Sequence, residues 1–428
     1  MSKYTFVFII ALLLAACSGS DDEEDFGISG CSTVEQNEFV HRALQDRYFW
    51  YREIDEVVNY SDFASPQETL QFLKFTPLDR FSSITTVAAF DSLFEEGEFL
   101  GYGFSFSLDT TNEIMLIKFT NTDSPSGRAG MTRGDRILSI NGNPIEQIIP
   151  QISSGEIFGE SLEGEPIDMR LRHLDGTEDD IHMEKEIVNI NTVLFSDVIE
   201  DGTDRIAYLV FNSFLETSRD ELDQVFSEFK AKLANKLILD LRYNGGGLVS
   251  VANTLASLIK RNNGQAELFG ELRKNDKHQD DTSRFFLENL SNSLGLDEVT
   301  IITTRATASA SEMIINGLKP YINVKQIGDT TFGKPVGQNG FEFCDNLLLP
   351  ITFAIFNADD EGDYFDGISA DCAANDDLNF AFGDLEEPML KAALDFTQNL
   401  NCPAAKSTAT TYPADIGQDG LRQFYNVW

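Results

Sequence analysis

The chain has 428 residues, 42% of them apolar, which is enough for two or three cores and excludes wholesale disorder. Seventy acidic residues against 32 basic ones give a net charge of −38, so the surface repels nucleic acid and favours solubility. No stretch reaches the roughly 18 consecutive apolar residues of a membrane-spanning helix.

At the N-terminus, Lys3 precedes an almost unbroken apolar run over residues 4–16. That run is too short to span a bilayer but suits the core of a signal peptide. It ends Leu13-Leu-Ala-Ala-Cys17, which resembles the lipobox of bacterial lipoproteins. The resemblance implies removal of residues 1–16, lipidation of Cys17 and anchorage to a bilayer through that lipid. The expected location is the outer membrane of a Gram-negative envelope, facing the periplasm or the surface. An ordinary secretory signal with a coincidental cysteine is the alternative. Residues 17–30 form an acidic tether, similar to the export signal of some surface lipoproteins and equally consistent with a solvated linker. The remaining cysteines, Cys31, Cys344, Cys372 and Cys402, suggest two disulfides in an exported chain, with three connectivities open. A local Cys344–Cys372 closure and a Cys31–Cys402 clamp between the chain ends is the expected pairing. No cysteine or histidine spacing marks a metal site.

Residues 31–96 read as a helical region. A helical pattern runs from Thr33 to about Ile54 and includes the aromatic cluster Tyr48-Phe-Trp-Tyr51; Ser65-Pro-Gln-Glu68 is a capped helix start. From Leu100 the texture changes to alternating strands, with Phe104, Phe106, Leu108, Ile114 and Leu116 on one face. Ala129 and Met131 suggest a short helix, residues 137–140 a strand, and Asn141-Gly142 a tight hairpin turn. Residues 124–144 carry the most specific part of a resemblance to PDZ domains of the bacterial protease-associated kind, and residues 97–190 are the expected extent. The resemblance implies addition of a peptide strand to a sheet edge, with the terminal carboxylate held by backbone N–H groups of Gly101, Tyr102, Gly103 and Phe104. A plain β-bulge is the alternative reading of those glycines.

Residues 191–402 alternate strand and helix. Strands are expected at 205–211, 236–241, 299–303 and 324–328, and helices at 218–234, 248–260 and 312–318, with Leu222, Val225, Phe226, Phe229 and Leu233 on one helix face. The order indicates an α/β layer with largely parallel neighbours.

Three loops follow strand ends: Asp240-Leu-Arg-Tyr-Asn-Gly-Gly-Gly247, Thr303-Thr-Arg-Ala-Thr-Ala-Ser309-Ala-Ser-Glu312, and Gly328-Asp-Thr-Thr-Phe-Gly-Lys-Pro-Val-Gly-Gln338. The first offers bare amides beside a helix N-terminus, a place for developing negative charge. The second presents a serine in a small-residue turn; the third, 25 residues on, presents a lysine. A serine needs a base to take its proton, and a lysine serves if burial lowers its pKa. In this order and spacing, the loops and the PDZ segment resemble the tail-specific, or C-terminal processing, proteases. That resemblance implies an α+β multidomain protein: an N-terminal helical region, a PDZ-like β domain and an α/β catalytic core of ClpP/crotonase-like type. Position by position it makes Ser309 the nucleophile, Lys334 the general base, Gln338 its orienting partner, and the amides of Gly246 (or Gly245) and Ala310 the oxyanion hole. Ser311 and Glu312 match as supports. The chain departs from the common pattern at Gly245, where many relatives have proline, and at Pro335, where many have glycine. His41, His173, His182 and His278 all lie outside the three loops, leaving a histidine-based triad as the rival arrangement.

The implied function is that of an exported, lipid-anchored serine endopeptidase without a cofactor, acting on unfolded protein or on peptide presenting a free C-terminus. A catalytically silent, PDZ-containing peptide-binding lipoprotein is the second reading. A carbohydrate-handling lipoprotein is a third, and explains none of the loops. Residues 403–428 form a tail whose apolar end, Phe424-Tyr-Asn-Val-Trp428, itself resembles a PDZ ligand.

Overall fold

The structure, a computed structural model, describes residues 26–399 and Cys402. The expected signal segment, Cys17, most of the acidic tether and the C-terminal tail lie outside the described residues.

The helix Thr33–Arg47 starts at Ser32, whose side chain accepts from the Glu35 N–H while Glu35 reaches back to the Ser32 N–H at 3.1 Å. It buries Phe39, Val40, Ala43 and Leu44 against Val336, Phe343, Leu348 and Ile351, far along the chain. Phe39 stacks on Phe343 with ring centroids 4.7 Å apart. The strand Ser83–Thr86 pairs antiparallel with Asn346–Leu349. The helical region therefore shares both a core and a sheet with the C-terminal part of the chain.

The PDZ-like domain is an antiparallel sheet in the order Phe104–Asp109, Ile114–Thr120, Arg136–Ile140, Pro166–Arg172, Glu178–Glu184. Asn141 and Gly142 make the expected turn, with φ of 51° and 76°. The short helix is Pro125–Arg128, slightly earlier than expected because Ser124 caps it by accepting from the Gly127 N–H. The longer helix Ile145–Ser154 buries Ile145, Ile148 and Ile152 against Phe104, Met115, Ile117 and Ile137.

The third unit is built on a six-stranded sheet, ordered Val193–Asp201, Asp204–Phe211, Lys236–Asp240, Glu298–Thr303, Asn323–Gly328, Cys372–Ala373. The first pair is antiparallel and the rest are parallel. Both faces are covered, which is why these strands read as continuous apolar runs. Ala207, Leu209 and Phe211 face the helices Ser218–Ala231, Val249–Ile259 and Ala310–Leu318. Ile206, Tyr208 and Val210 face Met389 and Leu390 of the helix Pro388–Asn399. A second sheet, Ser283–Phe286, Leu268–Lys274, Ile351–Phe356, Val336–Gln338, lies beside it.

Two expectations are corrected. The disulfides are Cys31–Cys344 and Cys372–Cys402, not Cys344–Cys372 with Cys31–Cys402. Cys344 sits between the strands Phe341–Phe343 and Asn346–Leu349, whose hairpin packs on the first helix and so meets Cys31. Cys372 lies on the edge strand in the same core as the last helix, and Cys402 follows that helix closely in the chain. Leu233 is 69% exposed rather than on the buried helix face, because the helix ends at Ala231 and Leu233 turns to φ 58°.

Candidate active site

The strands Lys236–Asp240, Glu298–Thr303 and Asn323–Gly328 are parallel neighbours, so their C-terminal ends bring the glycine, serine and lysine loops to one edge of the sheet. Ligand crevices of open α/β sheets form at such ends.

Ser309 immediately precedes the helix Ala310–Leu318 and holds φ 55° and ψ −115°, outside the regions a residue with a Cβ ordinarily occupies. Strain of about 1–3 kcal/mol at such a position persists only where the surroundings fix it. Here a buried carboxylate does so. Glu312 Oε2 accepts from the Ser309 N–H at 2.9 Å and the Lys334 N–H at 2.8 Å. Its Oε1 accepts from the Gly333 N–H at 2.7 Å and the Thr331 hydroxyl at 2.5 Å. Burial raises the Glu312 carboxyl above its usual range, against the opposing effect of these four donors. Four donors and no acceptor suit a carboxylate, which has only lone pairs to offer. One side chain thus joins the serine loop to the lysine loop. In the sequence Glu312 matches only as a support, and its local signal is the Ser-x-x-Glu spacing of a capping box.

The glycine loop lies against the serine. A Cβ placed on Gly246, whose φ is 107°, would stand 2.8 Å from Ser309 Cβ and 3.0 Å from Ala310 N. Only glycine fits. Asn244 stitches the two loops: its carbonyl accepts from the Ala308 N–H at 3.1 Å and the Ser311 hydroxyl at 3.0 Å, and its Oδ1 accepts from the Gly246 N–H at 2.9 Å.

Lys334 is 8% exposed, and burial lowers its pKa to about 8 against the opposing charges of Asp79 and Glu312. Its Nζ donates to Gln338 Oε1 at 2.9 Å. The amide is oriented because Gln338 Nε2 donates to the carbonyls of Phe81 and Leu349, both at 3.0 Å, leaving its oxygen for the lysine.

The histidines are engaged elsewhere. His41 contacts the Tyr60 hydroxyl and the Asp55 carbonyl, His173 contacts Asp135 and Asp179, His182 contacts Asp168, and His278 lies 2.8 Å from Arg47.

In the PDZ-like domain, Gly101 ends a strand paired with Glu186–Asn189, Gly103 turns at φ 88°, and Phe104 opens the edge strand opposite Thr120. The Tyr102 hydroxyl is committed inward, donating to the carbonyls of Phe158 and Glu165 at 3.2 Å.

A buried ionic network that the sequence did not reveal ties this domain to the glycine loop. Arg133 donates to the Tyr243 hydroxyl at 2.7 Å and to Asp376 Oδ1 at 2.5 Å. Arg242 reaches the same Asp376 oxygen at 2.7 Å and also pairs with Asp240 and Glu387. Burial opposes the Asp376 charge, yet Arg133 and Arg242 hold its carboxyl well below the usual range. A basic residue in the turn Thr132–Asp135 was the only local sign of it.

Three parts of the chain match known protein families. Residues 205–374 match the model of peptidase family S41, residues 35–83 that of the peptidase S41 N-terminal domain, and residues 121–154 that of the PDZ domain. A Staphylococcus epidermidis protein named as a CtpA-like serine protease is 23% identical over 340 residues, covering 75% of this chain and 61% of the relative. A Staphylococcus aureus protein of the same name is 28% identical over 334 residues, covering 76% and 62%. The chain thus spans about three fifths of the length of these curated relatives. A crystal structure from Bacteroides fragilis, named for the S41 proteases, shares the fold with a TM-score of 0.69 at 24% identity, covering 85% of this chain and 97% of that one. The family matched is the one the three loops resemble: the chain carries the peptidase S41 domain over residues 205–374 and the S41 N-terminal domain over residues 35–83.

Proposed function

We propose that the protein is a serine endopeptidase working through a Ser309–Lys334 dyad. The observation that carries this reading is Glu312, which fixes the strained serine and the backbone of a buried lysine with one carboxylate. Ser309 Oγ attacks the peptide carbonyl and neutral Lys334 takes its proton, with Gln338 holding the amine in place. The Ala310 N–H, at a helix N-terminus, is the principal oxyanion donor; the Gly246 N–H, already donating to Asn244, joins by a shared hydrogen bond. Lys334 returns its proton to the leaving amine, and water then hydrolyses the acyl-enzyme. Only the neutral lysine serves, so activity rises with pH through about 8.

The substrate is an unfolded segment presenting its C-terminus to the PDZ-like domain. Among the described residues, the strand Phe104–Asp109 is paired on one side only, by Ile114–Thr120. An extended peptide adds to its other edge, with its carboxylate on the amides of the Gly101–Phe104 turn. Cys17 carries a lipid that anchors the protein to the outer membrane. Loss of palmitate labelling and of membrane association in Cys17→Ala is the expected result for that anchor.

The deciding experiment compares cleavage of an unstructured protein with an apolar C-terminus by the wild type, Ser309→Ala and Lys334→Ala. Loss in both variants, with folding unchanged, is expected. Equal cleavage by all three refutes the dyad. Absence of cleavage by any moves the reading to a silent peptide-binding protein, to be tested by titration with C-terminal peptides.

A further inference from the structure

One wall of the lysine site comes from outside the peptidase core. The turn Asp79-Arg80-Phe81-Ser82 closes the N-terminal helical region and lies over the lysine loop. Asp79, 1% exposed, shapes the turn by accepting from the N–H groups of Phe81 at 2.9 Å and Ser82 at 2.8 Å. It also accepts from the Tyr48 hydroxyl at 2.6 Å, which ties the turn to the aromatic cluster after the first helix. Ser82 Oγ accepts from the Ile351 N–H at 2.9 Å and docks the turn on the second sheet. Arg80 Nη2 donates to the carbonyls of Phe332 at 3.1 Å and Gly333 at 3.4 Å, directly before the lysine, and its guanidinium lies 4.6 Å from the centre of the Phe332 ring. The Phe81 ring is centred 5.3 Å from Lys334 Nζ, and the Phe81 carbonyl is one of the two that orient Gln338.

Two anions face the lysine, Asp79 from the turn and Glu312 from the serine helix, and both favour its charged form. Arg80 is the cation nearest the loop in the turn, held on the backbone carbonyls. What opposes the anions is apolar cover, and the Phe81 ring, centred 5.3 Å from Nζ, is part of it. The ring face itself attracts a cation weakly, so its net effect rests on the water it excludes.

We propose that Phe81 is a positioning residue for the dyad: it covers Lys334 and, through its carbonyl, aims Gln338, so that the base is competent only when the N-terminal region is docked. This rests on the proposed Ser309–Lys334 chemistry. Phe81 acts through the lysine and Gln338.

The test uses the full chain and two measurements on wild type, Phe81→Ala, Phe81→Gln and Phe81→Leu. The first is the pH dependence of kcat/KM on an unstructured protein. The second is the pH dependence of Lys334 acetylation by trace acetic anhydride, read by mass spectrometry, which needs no catalysis. Water or an amide beside the ammonium favours its charged form. Phe81→Ala and Phe81→Gln therefore raise both midpoints by about one pH unit or more, with a roughly tenfold loss of activity at neutral pH for each unit. Phe81→Leu keeps the cover and leaves both midpoints in place. An unmoved acetylation midpoint in both Phe81→Ala and Phe81→Gln overturns the inference, whatever their rates. A moved acetylation midpoint beside cleavage that survives Lys334→Ala overturns the dyad and leaves the cover standing.

Discussion

Replacing Lys334 with methionine stabilises the protein at neutral pH, by an amount that fades as pH rises. An exposed lysine titrates near 10.5 and the buried one near 8. At about 1.4 kcal/mol per pH unit, the distance between those values sets a burial penalty of about 3 kcal/mol on the charged form. Below the folded-state value both native and unfolded chains carry the proton, and the penalty is fully present. Between the two values the native state releases its proton while the unfolded state keeps it, so the penalty is relieved as pH rises; above the upper value it is gone. Lys334→Met removes the penalty at every pH and leaves Gln338 Oε1 without its donor, a loss of about 1 kcal/mol. The variant is therefore more stable by about 2 kcal/mol at neutral pH, and the wild type overtakes it in alkali. Urea unfolding in a Trp428→Phe background follows this through Trp50, which packs on Phe365 beside the lysine loop with ring centroids 6.2 Å apart. A stability difference between the two proteins that stays constant from neutral pH to above the lysine's ordinary value would refute the buried-amine account.

Gly246→Ala places a methyl in contact with Ser309 and forces a side chain onto φ 107°, so cleavage falls by about a hundredfold or more in steady-state assays while the fold survives. Glu312→Gln exchanges an acceptor for a donor facing backbone N–H groups; a loss of about 3 kcal/mol by urea unfolding and a large fall in kcat are expected. Asp376→Asn removes the carboxylate shared by buried Arg133 and Arg242 and costs about 3 kcal/mol by urea unfolding, of which the Arg133→Met, Asp376→Asn double variant recovers only the part that belongs to Arg133. The Cys31–Cys344 bridge spans 313 residues and Cys372–Cys402 spans 30, so chain entropy predicts that removing the first costs about 2 kcal/mol more than removing the second.

What the sequence disclosed, and what it hid, divides along the range of the interactions. The Asn141-Gly142 turn, the strand runs of the parallel sheet and the three loops were legible because local chemistry sets them. Glycine is required where φ is positive, and a strand covered on both faces has no polar alternation to obscure it. The serine stands in a turn of small residues and the lysine in a glycine-flanked one, and their order and spacing carry the family resemblance that singles them out. The disulfide pairing was not legible, since Cys31 meets Cys344 only after the first helix has packed on a hairpin more than 300 residues away. Leu233 misled because helical periodicity continues in the sequence past the point where the backbone turns out of the helix.

The hidden part of the site shares that origin. Arg133, Tyr243 and Asp376 come from three separate stretches of sequence in two domains, and nothing near any of them announces the others. The same holds for the lysine. Its motif names the residue, but its low pKa arises from burial, and one wall of that burial is contributed by a turn some 250 residues earlier. On the dyad proposed above, the motif specifies which groups react, whereas the assembled domains decide whether the lysine is neutral when the serine needs it. For this chain the helical N-terminal region belongs to the second category: it packs into the core around Val336 and Ile351 and closes over Lys334 in the same contact. Any change that loosens that packing, even at the distant Phe39–Phe343 stack, should pass through the lysine's protonation to the rate of cleavage.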